Sequence, residues 1–375
     1  MSQSDTKYLA SLKARYIKAT KKERSQILDE YVATTGCHRK HAIAVLKGKR
    51  QRVTHPIRRP RRRYYTDEDK RAVQALAELF DGICSKRLRV ALDSELTKLY
   101  ETGFLAVSSE CYGHLKEISP ATMDRLCAGR EQRAGKSRGF TKPGTLLKSQ
   151  IPVRTWAEWS EDRPGFCEID LVDHSGGNTR DDHAWTLNFT DIKTQWTECV
   201  AVRNKAQRYV FEGIGRVRER LPFPLLGIDS DNGSEFINDE LYRYCQQEQI
   251  TFTRSRVGKK NDNAHIEQKN WSVVRRAVGY HRYDTPKQLD LLNQLYEKLH
   301  LYVNFFLPVM KLVEKVRDGS KVRKVYDQPQ TPYARVQNSP DVSVEAKVKL
   351  QATYQKLDVV QLRRQIDDLL DQLLP

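Results

Sequence analysis

Three acidic residues stand within a strand, just past the end of another and near the start of a helix. Asp170 lies in RPGFCEIDLVDHSGG (residues 163–177), Asp231 in GIDSDNGSEF (227–236) and Glu267 in RVGKKNDNAHIEQKNWSVVRRAVGY (256–280). Carboxylates gathered in one cleft repel each other unless cations neutralise them, and hard oxygen donors select Mg²⁺ or Mn²⁺ over zinc. Taken alone, an Asp before Asn-Gly also reads as a residue that serves the turn, since Asn and Gly tolerate the positive φ that tight turns need. The surrounding elements must decide between chemistry and turn.

Phe166 to Val172 reads as a strand with Asp170 inside it, a costly place for a charge unless something positive pairs with it. AWTLNFTDIKTQWTECVAV alternates like antiparallel strands around the polar turn Asp191–Thr194, and NKAQRYVFEGIGRVRERLP reads as a helix. Leu225 to Ile228 is a short apolar strand, which leaves Asp229 and Asp231 at or past its C-terminal end, where sheet proteins commonly place their chemistry. INDELYRYCQQEQ is helical, ITFTRS is a strand, and a polar loop then enters the helix of Glu267. On that helix Asn263, Glu267, Asn270, Trp271 and Val274 share one face by helical spacing. The order is that of a mixed α/β domain.

The series CEIDLVDH, then SDNGSEF, then SRVGKKNDNAHIEQKN, with 35 residues (232–266) between Asp231 and Glu267, resembles the DDE transposase and retroviral integrase superfamily. It is most similar to bacterial insertion-sequence transposases with an integrase-type core. The resemblance spans roughly residues 150–285, and helical units ahead of the core extend it. It implies an α/β RNase H-like catalytic core, a mixed sheet flanked by helices. Asp170, Asp231 and Glu267 are then the catalytic carboxylates and the metal ligands, holding two Mg²⁺ (or Mn²⁺) ions about 3.5–4 Å apart. Asp170 would bridge both ions, while Asp231 and Glu267 would hold one each. Asp173 and Asp229 are local competitors, but Asp173 falls on the opposite strand face from Asp170 and Asp229 lacks a following Asn-Gly. The resemblance further implies cleavage at DNA 3′ ends, strand transfer, and a homo-oligomer on paired ends. Superfamily integrases with a zinc-binding N-terminal domain carry paired His and paired Cys there. This chain has no such pairs, and helix-turn-helix units stand in their place.

The 375 residues carry 65 Lys and Arg against 48 acids, a net charge of +17, the electrostatic footprint of a protein that meets a polyanion. Double-stranded DNA is the expected partner, as element ends and as target. There is no apolar run of bilayer length and no signal-peptide core near the first residues, so a cytoplasmic, nucleoid-associated protein is expected and no membrane partner. Seven scattered cysteines suit reduced thiols rather than a disulfide framework.

KKERSQILDEYVATTGCHRKHAIAVLKG (21–48) holds two amphipathic helices separated by Ala33–Gly36, a helix-turn-helix pattern whose second helix presents Arg39 and Lys40 to a major groove. KGKRQRVTHPIRRPRRR (47–63) has nine Lys or Arg and no acid. It reads either as an arm that tracks phosphates through Arg58, Arg59, Arg61, Arg62 and Arg63, or as a solvated linker. In LKEISPATMDRLCAGRE, Ser119 is a natural N-cap, and a second reader would face Thr122, Arg125 and Arg130 outward. Near the Glu helix, Arg254, Arg256, Lys259, Lys260, Lys269 and Asn270 are expected to touch the DNA backbone.

Asp318-Gly319 between alternating runs signals a β-hairpin, and Val359, Leu362, Ile366, Leu369 and Leu373 form a helical stripe that serves either its own domain or self-association. The domain reading is a helix-turn-helix at 1–50, a basic arm at 51–66 and a second helical domain at 67–132. A linker at 133–155 precedes the core at 156–300, followed by a small hairpin region at 301–340 and a C-terminal helix at 341–375. Two other functions fit the same residues: a DNA-binding regulator with an inactive nuclease-like core, and a metal-dependent nuclease without strand transfer.

Overall fold

In a computed structural model, which describes residues 3–48, 64–128, 163–230, 236, 239–254, 264–318 and 321–374, the apolar positions of the first 48 residues close a three-helix unit. Helices α1 (Gln3–Lys18), α2 (Lys21–Thr35) and α3 (Arg39–Leu46) bury Leu12, Tyr16, Ile27, Leu28, Ala42 and Leu46. Thr20 and Glu23 form a capping box at the start of α2. Gly36 ends it at φ +67°, with its N–H donating to the Val32 carbonyl. The helix therefore runs on through Ala33–Thr35, which the sequence reading had assigned to the connector. Arg39 turns back to α2, pairing with Asp29 and donating to Ser25 Oγ at 2.7 Å.

The chain divides into two units, Met1–Tyr64 and Tyr65–Pro375. The second begins with α4 (Asp67–Leu79), α5 (Ser85–Glu101), α6 (Ser109–Glu117) and α7 (Pro120–Cys127). Strands β1 (Phe166–Asp173), β2 (Trp185–Asp191) and β3 (Thr197–Val202) follow, then α8 (Gln207–Arg220), β4 (Gly227–Ser230), α9 (Asp239–Gln247) and β5 (Thr251–Arg254). Next come α10 (Ala264–Lys269), a π-helical turn (Asn270–Arg275), α11 (Arg276–Val278) and the long α12 (Pro286–Phe306). A hairpin of β6 (Leu312–Asp318) and β7 (Lys321–Tyr326) precedes α13 (Pro332–Asn338), α14 (Val344–Lys356) and α15 (Val359–Leu373).

The five-stranded sheet has the order β3-β2-β1-β4-β5, with β1, β2 and β3 antiparallel and β4 and β5 parallel to β1. Alternation divides its two faces. Cys167, Ile169, Leu187, Phe189, Val200 and Ile228 bury one face with Val210, Ile214 and Val217 of α8 and Leu241 of α9. Val172, Cys199 and Ala201 join Leu292, Leu295 and Tyr296 of α12 in a second core, which also holds the apolar faces of α4, α5 and α15. The entry to β1 needs a glycine. Gly165 has φ +112°, and a Cβ there would lie 2.5 Å from the Pro224 carbonyl oxygen.

Strand β3 is an edge, and asparagines of α12 close it. Asn304 accepts from Thr197 N–H at 2.9 Å and donates to the Thr197 carbonyl at 2.8 Å. Asn293 does the same with Ala201, both bonds at 3.1 Å. Two side chains thus replace part of a missing strand, which removes an aggregation-prone edge. Tyr296 fastens α12 further through Thr186 Oγ1 (2.6 Å), which in turn meets His174 Nε2 at 2.7 Å. The C-terminal stripe packs on α12 within its own unit, with Val359, Leu362, Ile366 and Leu373 buried in the shared core. All seven cysteines are free thiols. No helix among the described residues is long and apolar enough to cross a membrane.

Two outcomes follow from this packing. Asn304→Ala strands a buried amide and carbonyl of Thr197 and should cost about 2–4 kcal/mol in denaturant unfolding, whereas an unchanged midpoint would mean the edge is closed by something else. Burial, with help from nearby Arg275, pushes the His174 imidazole down to about 3 from an ordinary 6.5. The unfolded chain therefore takes up a proton that the folded one refuses between those values. Stability falls as pH drops from about 6.5 towards 3, by up to about 1.4 kcal/mol per pH unit, and His174→Gln should flatten that slope.

Candidate active site

Glu168 and Asp170 are two residues apart on β1, so both side chains leave the sheet on the face that receives α10 and the π-helical turn. Glu168 is 3% exposed, and its Oε2 accepts the backbone N–H of Ile266, in the first turn of α10, at 2.8 Å. A carboxylate at a helix N-terminus meets both an unsatisfied amide and the positive end of the helix dipole. One turn further on, Asn270 Nδ2 donates to Asp170 Oδ2 at 2.6 Å. Asn188 of β2 donates to Asn270 Oδ1 at 2.8 Å, and the Cys199 thiol of β3 lies 3.6 Å from Asn188 Oδ1. Leu171 N–H meets Asp170 Oδ1 at 2.8 Å. Asp170 is half-buried and held at both oxygens by described donors. Glu267, on the same helix as Ile266 and Asn270, is exposed.

The helix face departs from the sequence expectation. Asn270 and Val274 turn inward as expected, but Trp271 is 53% exposed. The inward stripe of this helix runs through Ile266, Lys269, Asn270, Val273, Val274 and Val278, across the π-helical turn, and Trp271 lies beside it with Glu267 on the exposed side.

The acids that compete with the expected triad have other work. Asp229, buried in β4, accepts from Thr253 Oγ1 at 2.6 Å. Asp173 accepts from Ser175 N–H at 2.8 Å and Ser175 Oγ at 2.7 Å, with His183 Nε2 2.8 Å away. Strand β4 ends at Ser230, whose parallel partner is Ile169, the neighbour of Asp170. Asp231 lies outside the described residues. Among the described residues no three His, Cys, Asp or Glu side chains gather into a metal site.

Of the expected DNA contacts, Arg58, Arg59, Arg61, Arg62, Arg63, Arg130, Arg256, Lys259 and Lys260 lie outside the described residues. Lys40 and Arg125 are exposed, Arg39 is exposed but paired with Asp29, and Arg254 is half-buried. Two expectations need correction. Lys269 is buried, its Nζ 3.4 Å from the Gln195 carbonyl oxygen, and burial pushes its ammonium down to about 7. It is part of the helix-to-sheet packing and offers no surface to a phosphate. Thr122 is also buried, because it sits in the first turn of α7, where its N–H meets the Ser119 cap and its Oγ1 accepts from Arg125. Asn270, expected at the DNA backbone, is half-buried and donates to Asp170. Glu168 and Asn188 were missed, although the i–2 alternation from Asp170 was a signal for Glu168.

The second unit is thus a mixed α/β domain in which a five-stranded sheet, flanked by helices, presents a carboxylate of its central strand to a helix that carries a second one. Over 338 residues the chain is 39% identical to the uncharacterized protein y4rM of Sinorhizobium fredii, covering 88% of this chain and 94% of that protein, and it belongs to the same family. No family model matches the chain. Among solved structures, the chain is similar to the HTLV-2 integrase catalytic core domain in complex with magnesium, in its dimeric form. That likeness has 14% identity and a TM-score of 0.30, over 39% of this chain and 90% of that one. A second is the catalytic core domain of BIV integrase, at 15% identity and a TM-score of 0.31, over 51% of this chain and 99% of that one.

Glu168 gives a direct check of the helix anchor. Glu168→Ala removes the acceptor of a buried amide and should lower stability by about 1–3 kcal/mol, while Glu168→Gln keeps a carbonyl in place and should recover most of it. Equal melting temperatures for the alanine variant and the parent chain would remove Glu168 from this role.

Proposed function

We propose that the chain is a DNA transposase, a polynucleotidyl transferase that binds the ends of its mobile element and carries out 3′-end cleavage and strand transfer. The observation that carries this reading is the bond from Asn270, one turn beyond Glu267, to Asp170 Oδ2 at 2.6 Å. It links the helix of one expected catalytic acid to the strand of another, 100 residues earlier in the chain. Support also comes from the sheet order β3-β2-β1-β4-β5, the strand order of an RNase H-like core, and from the motif series around Asp170, Asp231 and Glu267.

In this reading Asp170, Asp231 and Glu267 hold two divalent ions, Mg²⁺ or Mn²⁺. The donor set fits such ions, because Asp170 and Glu267 offer hard carboxylate oxygens with no thiol or imidazole among them. Bound there, the ions would neutralise charge at the reacting phosphodiester and favour both the attacking and the leaving oxygen. The protein's own part is placement. Asn270 and Leu171 N–H hold the Asp170 carboxylate in one orientation, and Asn188 fixes Asn270 so that its amide nitrogen faces the acid. With its oxygens held in advance, the carboxylate needs little reorganisation when charge develops.

DNA is the partner in this reading, gripped by the +17 surface and by the three-helix unit α1–α3 acting as a helix-turn-helix. The enzyme acts as a homo-oligomer on paired ends. Asp170→Asn and Glu267→Gln should retain DNA binding in a gel-shift assay and lose Mg²⁺-dependent nicking and joining by more than roughly 100-fold, beyond the loss that outer-sphere changes reach. Wild-type protein that nicks but never joins ends would be a nuclease. Protein that binds and does neither would be a regulator.

A further inference from the structure

Trp271 is unexplained by the packing of the core. Among the described tryptophans Trp185 and Trp196 are buried, whereas Trp271 leaves 53% of its surface in water. An indole is a large apolar group, and the fold does not use half of this one. Among the described residues it is not part of an apolar patch either. Gln268 and Arg276 are exposed beside it on the helix, and Arg275 turns away to lie over the Tyr280 ring at 4.6 Å. An exposed aromatic flanked on its helix by Glu267, Gln268 and Arg276 fits a flat ligand better than it fits a protein interface.

Its position narrows the ligand. Trp271 follows Asn270, which touches Asp170, and stands four residues beyond Glu267, which is also exposed. One helical turn advances about 5.4 Å, which corresponds to one or two nucleotide steps of about 3.4 Å along a DNA strand. The face of a base is hidden inside a duplex, so an indole can stack only on a base that is unpaired or turned out of the stack.

We propose that Trp271 is a stacking platform for an unpaired DNA base, one or two nucleotides from the phosphodiester held at Asp170 and Glu267. This rests on the transposase reading, and it adds that the enzyme engages DNA ends opened at the reacting position. The net charge of +17 supplies attraction for the strand, and the indole supplies contact with the base.

The test uses the full chain and two probes of one sequence, because stacking tolerates any base. One is a blunt 30-base-pair duplex, and the other is the same duplex ending in a three-nucleotide 3′ overhang that contains 2-aminopurine. Wild type and Trp271→Phe should quench the 2-aminopurine and prefer the overhang. Trp271→Ala should bind the overhang roughly 10- to 100-fold more weakly, keep its affinity for the blunt duplex, and quench nothing. Equal overhang affinity and equal quenching in Trp271→Ala and wild type, with unchanged circular dichroism, would overturn the proposal. The outcome is separate from that of the parent reading. A wild type that stacks the base through Trp271 but never cuts DNA keeps this site and loses the transposase, whereas one that cuts and joins without needing Trp271 does the reverse.

Discussion

The anchoring of one helix across one strand is the constraint on which the candidate site depends. Glu168 and Asp170 leave β1 on the same face, and each meets a group on the helix that carries Glu267: the Ile266 amide for the first, the Asn270 side chain for the second. A buried carboxylate without donors would be costly, so both contacts must form together. They can do so only if the helix sits at one height along the strand. Hydrogen bonds over sequence separations of 98 and 100 residues therefore define where the second acid is delivered. Asn270 reaches Asp170 from the same helix stripe that buries Val273 and Val274 in the core.

The rest of the second unit holds that face steady. Helix α12 closes the β3 edge with Asn293 and Asn304 and meets the sheet through the His174–Thr186–Tyr296 chain. Behind it, α4, α5 and α15 share its apolar core. Asp81, just past α4, takes Arg276 at 2.8 Å and Arg363 at 3.4 Å. Arg276 directly follows the π-helical turn, so this partly buried carboxylate ties the far end of the Glu267 helix to the C-terminal helix. Burial raises the Asp81 carboxyl above its ordinary range, while the two guanidinium groups oppose that shift. The helices before the sheet and those at the C-terminus thus act as parts of the scaffold that supports the site.

Local patterning made much of this legible. Alternation over Phe166–Val172 and 184–202 marks the strands, the Asp318-Gly319 pair marks the hairpin, and the Ser119-Pro120 start marks α7. The expectations that failed concern which side chains the rest of the fold covers. The face drawn through Glu267 and Trp271 lies beside the stripe Ile266, Lys269, Val273 and Val274 that is buried. Lys269 and Thr122 looked like surface residues by type, but neighbours distant in sequence bury them. Type sets what a side chain can do, and burial by remote elements decides whether it can do it.

The sequence by itself determined the element order, the α/β class, the basic charge and which acids could matter, because these depend on local propensity, periodicity and composition. Only the tertiary structure decided that Glu168 anchors the helix, that Asn188 and Asn270 orient Asp170, and that Trp271 faces water. Those facts arise from hydrogen bonds over 82 to 100 positions and from how the helix packs on the sheet, and no local rule carries information over that distance.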